Sequence, residues 1–138
     1  MSWIIYGLLS AATAALVAIF GKVGMQSIDP LIATTLRAAI MTITLLSASG
    51  VFKKVQALPT ISPFAWLFIA LSAVAGALSW LCYFSALQAG PATQVVALDR
   101  LSIVFTALLS MLFLGEQLTL VSGIGLILMV TGSWLLVK

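Results

Sequence analysis

Ala97-Leu98-Asp99-Arg100-Leu101-Ser102 sets an acid beside a base a few residues inside a long apolar run that continues to Leu114. The run is long enough to cross a lipid bilayer, which takes about 20 apolar residues in a helix. Charge inside such a segment is costly, and where it occurs it marks a functional site by default. The chain has only six basic and three acidic side chains, and it spends one of each here. The reading of this stretch as a charged membrane span decides the fold class.

Composition supports that reading. Of the 138 residues, 63% are hydrophobic and 7% charged, and the mean hydropathy is +1.28. Soluble domains carry roughly 25% charged residues. A globule of this size buries only part of its surface, so lipid must take the place of water around much of it. The net charge of +3 is scattered, which excludes a basic nucleic-acid face. There is no His and a single Cys, Cys82, so neither an intrachain disulfide nor the usual zinc constellations can form. No metal or cofactor is expected, and Cys82 reads as a packed core thiol. Enzyme chemistry has little support, with no His and no Ser-centred motif.

Five spans follow from the apolar runs, at about residues 3–23, 31–51, 63–88, 94–114 and 118–137. The N-terminus lacks a basic region and its apolar run exceeds a signal-peptide core, so it reads as a retained first span. Trp3 and Tyr6 suit one interface, and Lys22, about 28 Å along the helix, suits the other. Rows of small residues (Gly7, Ala11, Ala15 and Ser10, Ala14, Ala18) give that span close-packing faces. Asp29-Pro30 reads as the cap and first residue of the second span. Arg37 lies seven residues further, roughly 10 Å inside. It either snorkels back to the headgroups or pairs with an acid inside the bundle. Lys53-Lys54 and two prolines mark the longest polar connection. Trp80 and Tyr83 lie deep in the third span, where they either line a cavity for an organic substrate or face lipid and core. Thr93 reads as the cap of the fourth span. Glu116, in the hairpin Gly115–Thr119, reads as an interfacial acid favouring the start of the fifth.

Alternating connections place Lys22, Asp29, Arg37, Asp99, Arg100 and Lys138 towards one membrane face and Lys53, Lys54 and Glu116 towards the other. An isolated charge at the centre of a span costs about 2.5–3.5 kcal/mol on insertion scales. Pairing is the cheapest remedy. The expectation is therefore an Arg37–Asp99 contact, or Asp99 held by Arg100 with Arg37 left for an anionic substrate. Loop Lys and Arg are evenly divided, Lys53 and Lys54 against Lys22 and Lys138, so the positive-inside signal gives almost no preference. Such a chain could insert both ways and form an inverted-repeat dimer.

Phe84-Ser85-Ala86-Leu87-Gln88-Ala89-Gly90-Pro91-Ala92, the hairpin Leu112-Phe113-Leu114-Gly115-Glu116-Gln117-Leu118-Thr119 and the glycine-marked last span with Gly123, Gly125 and Gly132 carry a resemblance to EamA-like domains of the drug/metabolite transporter superfamily. Lys22 and Leu36-Arg37-Ala38 also fit. The resemblance covers essentially the whole chain as one domain, residues 1–138, and implies one five-helix half of a ten-helix inverted-repeat fold. It implies export or exchange of small metabolites, such as amino acids or drugs, by alternating access. Many members carry a proline in the fourth helix. Here Asp99-Arg100-Leu101-Ser102 stands instead, resembling a half-size subgroup. Small multidrug relatives use a carboxylate in the middle of the first helix, where this chain offers only Thr13.

The expected protein is an all-α, multi-pass protein of a bacterial or archaeal cytoplasmic membrane, with lipid and a small-molecule substrate as partners. It would act as a homodimer, with an antiparallel arrangement expected, with Asp99, Arg37 and Arg100 as the polar site, and Trp80 and Tyr83 as cavity walls. Gly123, Gly125 and Gly132 would serve packing or dimerisation. The rivals are a subunit of a lipid-linked substrate flippase, a non-transporting structural or regulatory subunit, and a parallel dimer.

Overall fold

The computed structural model describes residues 2–138, and no β-strand occurs among them. Five helical spans are long and apolar enough to cross a membrane. The first is α1 (Ser2–Gly24), the second α2 (Pro30–Val51) and the third α3 (Pro63–Ala89). The fourth span is segmented into α4 (Ala92–Asp99), α5 (Ser102–Leu109) and a π turn (Ser110–Leu114). The last is α6 (Leu120–Val137).

Local chemistry sets the ends. Asp29 caps α2, its Oδ1 accepting from the amides of Leu31 (2.8 Å) and Ile32 (3.3 Å), with Pro30 at the first helical position. At the other end of α2, Lys53 takes up a left-handed φ of 53°. This lets the Lys54 amide reach back to the Ser49 carbonyl at 2.9 Å, the closure that usually falls to glycine. A short 3-10 helix, Val55–Thr60, fills the connection to α3. Gly115 supplies a second left-handed turn, at φ 67°, after the π segment.

Two starts differ from the sequence reading. Thr93 does not cap the fourth span, because extended Pro91 precedes α4 and its carbonyl accepts the first helical bond from Val95. The fifth span begins at Leu120 rather than 118. Its cap is Thr119, whose hydroxyl accepts from the Ser122 amide at 3.1 Å, and Glu116 stays in the hairpin before it.

The chain divides into two compact units. One comprises Gly21–Gln88, and the other Met1–Phe20 with Ala89–Lys138. In the first, Met25, Phe84 and Leu87 are buried. In the second, α4 packs on α6, with Ala18, Val95, Ala97 and Ser133 buried. Most other apolar side chains are exposed, as expected where lipid is the solvent. Cys82 is among the exposed residues, which corrects its reading as a core thiol.

Candidate functional site

Within the Gly21–Gln88 unit, the ends of α1 and α3 are tied together. The Lys22 ammonium donates to the carbonyls of Leu87 (2.6 Å) and Gln88 (3.4 Å) at the end of α3. The Gln88 amide returns the favour, donating to the carbonyls of Met25 (3.0 Å) and Ile28 (3.1 Å). Helix ends leave carbonyls unpaired, and inside a bilayer such groups must find donors. Lys22 and Gln88 supply them, which makes both residues structural.

Phe84, 1% exposed, is the centre of this corner. Its ring fits the notch left by Gly21, where a Cβ would come within 2.9 Å of its Cε1. Tyr83 meets it edge-on at 5.4 Å between ring centroids. On its other flank lies Arg37. The guanidinium carbon stands 4.2 Å from the Trp80 ring centroid and 5.0 Å from that of Phe84. Both distances are within cation–π range. Arg37 Nη1 is buried and has no hydrogen-bond partner among the described residues. Three of the five sequence-selected site residues, Arg37, Trp80 and Tyr83, therefore come together here.

Within its own unit Arg37 meets aromatic rings and no acid, so the expected pairing with an acid is not seen there. Phe84 and Trp80 lie five and nine residues before the end of α3, so roughly 8–14 Å inward along the helix. Arg37 is held at that level of α3 by the two aromatic rings.

Asp99 and Arg100 belong to the other unit, at the break in the fourth span. Backbone pairing there tightens from four residues back to three. Leu101 donates to Leu98 (3.0 Å), Ile103 to Arg100 (3.2 Å) and Val104 to Leu101 (3.0 Å). A stretch of 3-10 pairing within a helix is a recurrent sign of a hinge or a functional site. Both charged side chains are exposed, and neither finds a hydrogen-bond partner within its own unit.

Arg100 lines a cavity of about 450 Å³ with Ala15, Ala18, Thr93, Gly132 and Ser133. Two residues of the small-residue rows of α1, Ala15 and Ala18, thus border a cavity that also holds Arg100. A second cavity of about 560 Å³ has Glu116, Thr106, Ser122 and Gly125 in its wall. Thr13, the polar group nearest the centre of the first span, turns its hydroxyl to the carbonyls of Leu9 and Ser10 in its own helix.

Gly125 and Gly132 face open space, and Gly123 meets only Leu118 at 3.7 Å. None of the three is needed for a close approach within the chain. Sequence reasoning missed Gly21, Phe84 and Gln88 as a packing unit. The available signal was one polar residue, Gln88, ending an otherwise apolar span.

The EamA-like transporter family matches residues 1–138. A protein of a Sinorhizobium species, called an uncharacterized transporter in the cobO 3' region, is 42% identical, over 98% of this chain and 96% of its own length. No solved structure matches. The full-length match and the five apolar spans agree, and the chain belongs to the EamA-like transporter family as a multi-pass membrane protein.

Proposed function

We propose that this protein is a carrier for small metabolites, of amino-acid or drug-like size, working by alternating access in a bacterial or archaeal cytoplasmic membrane. The chain acts as a single domain, and two copies in opposite orientation supply the ten helices of the full transporter. The observation that carries the reading is the break at Asp99–Leu101, which places two exposed charged side chains inside a span. Charge facing hydrocarbon costs several kcal/mol, about 2.5–3.5 on insertion scales, so a second copy, substrate or water must cover it. The even loop charge supports insertion in both orientations.

In this reading Asp99 is the titratable or cation-binding group. Arg37 and Arg100 carry the positive charge of the site, and Trp80 and Tyr83 form its walls. Gly125 and Gly132, open on α6, are available to packing between copies. Proteoliposomes holding the purified protein should accumulate or release members of an amino-acid and cation panel, and Asp99→Asn should abolish this. A tag on each terminus should be found on both sides of the membrane. A tag restricted to one side would leave only the parallel arrangement, and a silent panel would favour a non-transporting subunit.

A further inference from the structure

We infer that the Arg37 corner is a binding site for a monocarboxylate solute, whose oxygens take the open edge of the guanidinium while its apolar body lies against the aromatic residues beside it. The inference rests on the transport reading and adds the substrate class.

The guanidinium has two kinds of surface. One is turned to aromatic rings, its carbon standing 4.2 Å from the centroid of Trp80 and 5.0 Å from that of Phe84. Cation–π contact of this kind gives none of the five N–H donors an acceptor. Nη1 is buried without an acceptor, while the residue as a whole is only half-buried. A stacked guanidinium with a free edge offers a fork of parallel donors that matches a carboxylate.

Depth then selects among oxyanions. The guanidinium lies beside α3 roughly 8–14 Å inward of that helix's end. On the transport reading a dissolved solute reaches that depth, whereas a headgroup would have to sink into hydrocarbon to do so. The Lys22 ammonium of the same corner is engaged by the carbonyls of Leu87 and Gln88, so Arg37 is the cation offered to an anion, and burying the second charge of a phosphate dianion would go uncompensated. Trp80 and Tyr83, both half-buried, offer apolar area beside the fork.

The corner is also built to hold this pose. Gly21 seats Phe84, and Phe84 and Trp80 fix the plane of the guanidinium. Lysine in place of Arg37 would keep the charge but lose both the stack and the fork.

The test uses the full chain in nanodiscs with radiolabelled benzoate as the probe. Saturable binding is expected, competed by unlabelled benzoate and at least 10-fold less well by benzamide or inorganic phosphate. Arg37→Lys and Arg37→Met should each weaken binding at least 10-fold, and Lys53→Met should leave it unchanged. Equal competition by benzamide overturns the inference on wild-type protein alone, should the variants fail to fold. Retained affinity in Arg37→Lys overturns it too. Benzoate displaced by anionic phosphatidylglycerol in the disc assigns the corner to a headgroup and overturns the solute. Benzoate binding that depends on Arg37, in proteoliposomes that move no solute, leaves the inference standing and removes the transport reading. Transport without such binding does the reverse.

Discussion

Arg37 lies against the rings of Trp80 and Phe84, in a corner fastened by Gly21, Lys22 and Gln88. Asp99 and Arg100 stand exposed at a break in the fourth span, with no hydrogen bond inside their unit. Both regions bring charge into an apolar segment, yet only the first surrounds it. In the corner, helix-end carbonyls, an amide and a guanidinium are placed by side chains that fit one another. At the break, the backbone pairing tightens to three residues, and the exposed charges are held by no side chain of their own unit. The contrast separates a region closed by its own side chains from one whose charges find no hydrogen-bond partner within their own unit.

The contrast predicts where stability resides. Phe84→Ala should have the largest effect, because it empties the buried centre of the corner and removes one face of the Arg37 stack. Truncating a buried Phe costs about 3–5 kcal/mol in water-soluble cores, and a value of about 3 is expected here, since lipid offers the ring an alternative apolar home. Unfolding in mixed detergent would measure it. A loss below about 1 kcal/mol would show that the corner is not the stable region.

Gly21→Ala comes next. Its new Cβ would stand 2.9 Å from Phe84 Cε1, closer than real contacts allow, and overpacking of this kind costs about 1–3 kcal/mol. Gly76→Ala is the control, since a Cβ there meets nothing within 4 Å. It should be neutral or slightly stabilising. Equal effects at the two glycines would remove the notch from the account.

Lys22→Met should cost less. It strips the donor from the carbonyls of Leu87 and Gln88, and leaving buried acceptors unpaired costs about 1–3 kcal/mol, reduced here because the site is partly exposed. Fraying should be local, appearing as faster amide exchange at the end of α3. Unchanged exchange there would show that the ammonium is not what holds those carbonyls.

How far the sequence reaches follows the same divide. The five spans were legible because apolar length is a local property, and Asp29-Pro30 announced the start of α2 through chemistry two residues wide. The tie between Lys22 and the end of α3 joins residues 65 apart, and no periodicity encodes it. The Phe84 notch needs Gly21 opposite it in space, so Gly21 looked like one small residue among many. The break at Asp99 was not legible as a break, because neither proline nor glycine lies between Ala92 and Leu114. What the sequence does hold there is a short acid flanked by β-branched Val95, Val96, Ile103 and Val104. These are modest helix formers, and together they make tighter pairing cheap. The charge pointed to the right place while the local geometry stayed hidden.

Asp99→Asn has the smallest expected effect on stability and sharpens the comparison most. The side chain is exposed and makes no hydrogen bond within its unit, so its replacement by a neutral isostere should change the unfolding free energy by no more than about 0.5 kcal/mol. The backbone break should persist, because it rests on main-chain pairing that an amide side chain leaves alone. On the proposed carrier function, in which the Asp99 carboxylate changes charge or holds a cation, transport should nevertheless fall at least 10-fold. The two readouts must therefore part company. A variant that loses stability in step with transport would mean that Asp99 is paired inside the folded protomer, as Arg37 is stacked, and the two regions would no longer be different in kind.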